Sequence, residues 1–215
     1  MININCIVVG MIDTNCYIVY DDERKEAVIT DPGDNGEYIA KALQDAGLTP
    51  VAIFLTHCHF DHIRGIPKLR EAYPDVPIYV HEEDVPWLTS GGKAPQESSA
   101  VPAMATPVPL TDIDVVLKGG EKIEAGGMTF EVISTPGHTP GCVCYYCPEG
   151  KFLLSGDTMF YHTWGATHFP GGDEKAIMES IRTKLLPLPA DTAVLPGHEN
   201  TTTIGEERKI HGFIA

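Results

Sequence analysis

Residues 55–65 read LTHCHFDHIRG. His57, His59, Asp61 and His62 fall within six positions, directly after the apolar run VAIFL at 51–55. Imidazole nitrogen and carboxylate oxygen are donors that suit zinc, and also iron or manganese. The apolar run reads as a buried strand, and residues two apart in extended chain project to the same side. His57 and His59 can therefore reach one ion. Asp61 and His62 lie beyond, where the chain is expected to turn into a helix, and can reach a neighbouring ion. A histidine-rich loop without metal is the plain alternative, and so dense a cluster of donors weighs against it.

One cluster cannot complete two coordination shells, so further donors are expected at other strand ends. Three positions fit. His138 sits in TPGHTPG (135–141), straight after the strand-like MTFEVIS. Asp157 sits in SGDT (155–158) after KFLLS, and His198 in LPGHEN (195–200) after TAVL. Each polar donor emerges where an apolar run ends and has glycine nearby, which permits the tight backbone path that aims a side chain inward.

The rest of the chain supplies the scaffold. Short β-rich runs open it: INCIVVG (4–10), NCYIVY (15–20) and AVIT (27–30). Helical spacing of Ile39, Ala40, Leu43 and Ala46 predicts a helix over 36–46 that stops at Gly47. Helices near 66–72 and 82–88 flank a strand at PIYV. Residues 89–111, rich in Ser, Gly, Ala and Pro, read as a long surface loop, a common setting for a lid or contact site. Strands resume at IDVVL, EKIEA, MTFEVIS, CVCYYC and KFLLS; an amphipathic helix over about 173–185 and the strand TAVL follow. Strands then helices, twice over, predict an α+β unit of two sheets face to face with helices outside. Residues 1–215 are read as one domain.

Composition narrows the function. The 215 residues carry a formal charge of −15 with only 15 basic residues, scattered along the chain. That opposes a nucleic acid partner, which requires clustered Lys and Arg. No run reaches the length of a membrane span, and the N-terminus lacks a signal peptide's basic segment. Six cysteines are too few for a disulfide scaffold at this length, so a reducing cytoplasm is expected. Cys142, Cys144 and Cys147 alternate along a strand and have no second cysteine pair, so they read as structural, and Cys58 as a bystander between two ligands. His81 and His211 read as surface or packing residues.

At this point a resemblance emerges. NCYIV (15–19), TDPGD (30–34), THCHFDH (56–62), TPGHTPG (135–141), SGDTMF (155–160), FPGGD (169–173), LPGHEN (195–200) and TTIGEER (202–208) span nearly the whole chain in order. Together they resemble the metallo-β-lactamase-fold hydrolases, in particular the short glyoxalase II-like (hydroxyacylglutathione hydrolase-like) thioesterases. The resemblance implies a four-layer αββα sandwich with a dinuclear centre at the sheet edges. It implies His57, His59 and His138 on one metal, Asp61, His62 and His198 on the other, and Asp157 bridging both. Asp31 matches the family's aspartate that lies behind the ligands and orients one of them. The implied cofactors are two divalent ions, zinc first, with iron or manganese as alternatives.

Two such ions, roughly 3.5–4 Å apart, share a water and lower its pKa to about 7. The bridging hydroxide would attack a thioester or similar activated acyl carbon, with Asp61 also orienting it. Tyr161, His162, Trp164, His168 and Phe169 follow the bridging aspartate and are candidate pocket residues; Trp87, taken with the long Pro-rich loop, is a weaker lid candidate. The family often has Arg or Lys after GDT, where this chain has Ala166, and an acidic residue where it has His168. Its glutathione-gripping C-terminal extension is not expected after TTIGEERKIHGFIA. Both departures point away from glutathione thioesters in particular. A mononuclear iron persulfide dioxygenase of the same fold, which shares the H-x-H-x-D-H motif, is the alternative from another class; a lactonase or β-lactamase is the alternative among hydrolases.

Overall fold

The computed structural model describes residues 1–89, 110 and 113–211, with the side chain of His211 left out. The expected loop at 89–111 lies, apart from Thr89 and Leu110, outside the described residues. Six strands form one mixed sheet in chain order: β1 (Ile2–Val9), β2 (Thr14–Asp21), β3 (Glu26–Thr30), β4 (Thr49–Phe54), β5 (Ile78–His81) and β6 (Val115–Leu117). Six more form a second: β7 (Lys122–Ala125), β8 (Met128–Ser134), β9 (Val143–Cys147), β10 (Phe152–Gly156), β11 (Ala193–Pro196) and β12 (Thr202–Thr203). The helices are α1 (Gly36–Asp45), α2 (Phe60–Ile63), α3 (Ile66–Ala72), α4 (Val85–Thr89), α5 (Glu174–Ser180) and α6 (Ile204–His211).

Strand alternation builds the layers. Tyr17, Val19, Val28, Ala52 and Phe54 of the first sheet meet Phe130, Val132, Val143, Tyr145, Phe152, Leu154 and Leu195 of the second in one buried cluster. The residues between them point the other way. Cys16, Ile18, Ala27, Ile29 and Ile53 pack with Ile39, Leu43, Ile66 and Leu69 of α1 and α3. Cys144, Tyr146, Leu153 and Val194 pack with Ile177 of α5, Ile181 and Ile204 of α6. The result is the αββα sandwich. Because central strands are buried on both faces, they read as continuous apolar runs rather than alternating ones.

Phe54 is the keystone between the sheets. Its ring stacks on Tyr145 at 4.5 Å and meets Tyr79 and Phe130 edge-on at 5.1 Å each. Tyr145 also donates its hydroxyl to the carbonyl of Leu55 at 2.8 Å, so the aromatic core holds the strand end that leads into the histidine cluster.

Several elements differ in detail from the sequence expectation. β4 starts at Thr49 and stops at Phe54, so His57 and His59 stand in the loop beyond the strand and not on it. The expected helix at 82–88 is a 3-10 turn, Glu82–Asp84, running into α4. IDVVL forms a strand only over Val115–Leu117. The helix expected over 173–185 is capped by Asp173, whose side chain accepts from the backbone N–H of Lys175 and Ala176. It then widens into a π-helical turn over Ile181–Leu185, which keeps both Ile181 and Leu185 buried. No helix among the described residues is long and apolar enough to cross a membrane.

Phe54→Ala is expected to destabilise the fold by about 3–5 kcal/mol, in line with other large-to-small aromatic core changes, measured by denaturant unfolding. A loss below about 1 kcal/mol would show that the inter-sheet core does not depend on this ring.

Candidate metal centre

Topology brings the polar residues to one edge. β3 and β4 run parallel, and β8 and β10 share a direction because each is antiparallel to β9; β11 is parallel to β10. Asp31 follows β3, the motif at 57–62 follows β4, His138 follows β8, Asp157 follows β10, and His198 follows β11. Every one of these side chains leaves the C-terminal end of its strand. Hydrogen bonds across the sandwich lock that edge: Val143 N donates to Thr56 O at 2.8 Å and Asn15 N to Gly197 O at 2.7 Å. The Asn15 amide and the Tyr17 hydroxyl both donate to Pro196 O at 3.0 Å.

Seven side chains converge there. His59 Nδ1 lies 3.1 Å from His57 Nε2 and 2.8 Å from His138 Nε2, a first triad of nitrogens. Asp61 Oδ2 lies 3.3 Å from His62 Nε2 and 3.2 Å from His198 Nε2, a second triad. Asp157 faces both: Oδ2 is 3.4 Å from His138 Nε2 and 3.6 Å from His198 Nε2, while Oδ1 is 3.4 Å from His62 Nε2. In each of three groupings (His57, His59 and His138; His57, His62 and Asp157; Asp61, His62 and His198) the donor atoms lie within 4.8 Å of one another.

Hydrogen bonds behind the cluster set the tautomers. Asp31 Oδ2 accepts from the Thr56 hydroxyl at 2.6 Å and stands 3.0 Å from His62 Nδ1, while Oδ1 accepts from Thr56 N at 2.8 Å. A carboxylate only accepts, so His62 Nδ1 carries hydrogen and Nε2 faces the cluster. With its proton given to Asp31, the Thr56 hydroxyl accepts from His57 Nδ1 at 3.1 Å, leaving a lone pair on His57 Nε2. The Ala166 carbonyl does the same for His138, 2.7 Å from its Nδ1. Asp31 reaches all this from a left-handed backbone conformation, φ 50°, which Asp tolerates better than most residues.

These donors fit a pair of divalent cations. His62 Nε2 and Asp157 Oδ1 are buried without a hydrogen-bond partner, which is costly unless something electrophilic sits between them. A Cβ at Gly197 would lie 2.3 Å from Asp157 Oδ1 and 2.8 Å from His62 Cε1, so glycine keeps that space open. Burial, with the neighbouring imidazoles, holds His57 and His59 well below the ordinary histidine range and therefore neutral, the form that ligates. Burial opposes ionisation of Asp61, yet His62 and His198 outweigh it and hold its carboxyl well below the usual range. Burial likewise opposes charge on His62 and His198, and the surrounding aspartates overcome it and raise both.

Residues 9–198 match the metallo-beta-lactamase superfamily. The chain belongs to that superfamily. Over 212 residues it is 36% identical to the probable metallo-hydrolase YqgX of Bacillus subtilis, covering 96% of this chain and 94% of the relative. Over 218 residues it is 34% identical to the hydroxyacylglutathione hydrolase GloC of Haemophilus influenzae, covering 99% and 98%. Among solved structures, BLEG-1 B3 metallo-beta-lactamase is 38% identical with a TM-score of 0.89, covering 99% of this chain and all of the other. TTHA1623 in a di-iron-bound form is 37% identical with a TM-score of 0.82, covering 97% and 99%.

On this superfamily scaffold the expected pocket residues divide. Phe169 stands beside His59, ring centres 6.0 Å apart, and is 43% exposed. Tyr161 is 44% exposed and stacks on His162 at 3.8 Å. His162 Nε2 stands 3.8 Å from Glu206 Oε1, and the His162 backbone N–H donates to the buried Glu207 of α6 at 3.1 Å. Trp164 packs against the outer core cluster around Ile177, and His168 lies against Phe169. Trp87 is not on the long loop: it is buried in α4, 5.4 Å from the His59 ring. Cys58 is buried, and burial pushes its thiol up; His81 is also buried and caps the 3-10 turn by accepting from Glu83 N. Sequence reading missed Thr14, whose hydroxyl donates to Asp61 Oδ2 at 3.2 Å, and the backbone role of Ala166.

The aspartates around the second triad favour the protonated forms of His62 and His198, so protons compete with a cation for those nitrogens. Apparent metal affinity is therefore expected to rise with pH, with proton release visible as buffer-dependent heats in titration calorimetry. An affinity that does not rise with pH would contradict that competition. Asp31→Asn is expected to weaken metal binding by about 10–100-fold, read by competition with a chelating indicator.

Proposed function

We propose that the protein is a metal-dependent hydrolase of a small-molecule thioester or similarly activated acyl compound. The observation that carries this reading is the convergence of ring nitrogens, tautomers set from behind, on the carboxylates of Asp61 and Asp157. His57, His59 and His138 would hold one ion, Asp61, His62 and His198 a second, and Asp157 would span both. The names of the Haemophilus influenzae and Bacillus subtilis relatives support hydrolysis. Zinc suits the nitrogen and carboxylate donors, and iron is the natural rival given the di-iron-bound relative.

Two divalent ions bound here supply Lewis acidity and bring the pKa of a bound water to about 7. Asp61 Oδ2, held ionised and steadied by the Thr14 hydroxyl, would orient the attacking water, whose proton passes to solvent. Oxygen adds to the acyl carbon, the C–S bond breaks, and sulfur leaves with the electron pair. A thiol with an ordinary pKa near 8.5 is stable enough as a thiolate to leave without a dedicated acid. Hence the chain needs no Ser/His/Asp triad. Phe169, beside His59, would offer apolar surface to the acyl or thiol portion. The absence of a basic side chain at Ala166 favours substrates other than glutathione thioesters.

Metal content by mass spectrometry, paired with hydrolysis of S-lactoylglutathione, other thioesters, lactones and a β-lactam, tests the proposal. Two ions per chain and thioester turnover abolished in His59→Ala are expected. Undiminished turnover after metal removal, or two bound ions with no thioester turnover, overturns it. Turnover confined to the β-lactam would favour the chemistry named in the BLEG-1 neighbour. Oxygen consumption with a persulfide and a single bound iron would move the protein to the dioxygenases.

A further inference from the structure

We infer that Asp84 is a positioning residue for the first triad, holding His57 and His59 in register with His138; this rests on the metal-dependent reading above. Asp84 closes the 3-10 turn at the end of β5, and its side chain is fully buried. Its Oδ2 accepts from Cys58 N at 3.0 Å and from the Thr139 hydroxyl at 2.9 Å. Its Oδ1 accepts from Gly141 N at 2.7 Å. Cys58 lies between the ligands His57 and His59, and Thr139 directly follows His138. One carboxylate thus joins a loop of the first sheet to a loop of the second at the residues next to all three nitrogens.

The approach is built for this contact. A Cβ at Gly141 would lie 2.4 Å from Asp84 Oδ1, so the second glycine of TPGHTPG is what lets the carboxylate reach the loop. Three residues beyond Asp84, Trp87 packs on the His59 ring, so the same segment braces that ligand from a second side. The Val143–Thr56 backbone bond also links the two loops, but at their roots. Asp84 acts nearer the nitrogens, whose separations of 2.8 and 3.1 Å leave little room for slippage. Neither Glu82 nor Glu83 of the same turn is buried, in contrast to Asp84.

A carboxylate with three donors would also support the fold, so the test compares the two triads rather than asking for loss of activity. Zinc binding is measured on the full chain by competition with a chelating indicator, for wild type, Asp84→Asn and Thr139→Val. Asp84→Asn keeps the shape but turns an amide N–H₂ toward at least one of the donors. It is expected to bind one zinc as tightly as wild type and the other about 10–100-fold more weakly, the range typical of groups that orient metal ligands. Thr139→Val is expected to act in the same direction with a smaller effect, and it carries the test if Asp84→Asn does not fold.

Double variants identify the weakened site. In a His198→Ala background, which leaves the first triad intact, adding Asp84→Asn should weaken the remaining zinc. In a His138→Ala background it should leave the remaining zinc unchanged. Wild-type affinities at both sites in the folded variants, or equal weakening of both, overturn the assignment. A wild-type protein that binds neither zinc, iron nor manganese instead overturns the metal-dependent reading on which it rests.

Discussion

The carboxylate of Asp31 ties the scaffold to its chemistry. It sits one residue beyond β3 and accepts the backbone and hydroxyl protons of Thr56, two residues beyond β4, together with the Nδ1 proton of His62. Through Thr56 it also sets the tautomer of His57. A single buried carboxyl group therefore aligns two parallel strand ends and dictates which nitrogen two histidines present. The left-handed backbone at Asp31 is the conformational cost of that reach.

The cluster also presents an electrostatic problem. Asp31, Asp61 and Asp157 crowd into a buried region, and burying charge is expensive unless it is compensated. Part of the compensation is internal: the aspartates raise His62 and His198, which favours positive charge beside Asp61 and Asp157. His57 and His59 stay neutral because burial and neighbouring imidazoles both disfavour their protonation. The two triads thus differ in character, the second favouring protonated imidazoles and the first neutral ones, though both lie against Asp157.

Much of this was legible in the sequence because it is local. Strand periodicity marked the sheets, and a polar residue near glycine after an apolar run marked His138, Asp157 and His198. What escaped was encoded between distant positions. Asp84 meets its donors 26, 55 and 57 residues away, and in a turn of three acidic residues nothing local distinguishes the buried one. Ala166 was judged by its side chain, while its contribution is a carbonyl. Trp87 lay at the border of a Pro-rich stretch and read as part of it, although it belongs to a helix whose inner face is buried. The π-helical turn after α5 left the amphipathic spacing intact, so periodicity alone read straight through it.

The strand order within each sheet carries a consequence for assembly. The first sheet uses only chain up to Leu117 and the second only chain from Lys122 onward, with no strand exchanged between them. Each sheet can consequently organise from contacts within its own half of the chain, which favours fast formation. The donor atoms, however, are shared out: each triad draws two members from the first half and one from the second, and Asp157 comes from the second. Neither half holds a complete set. A cation at either triad would act as a clasp between the two halves of the chain, its binding energy adding to their cohesion.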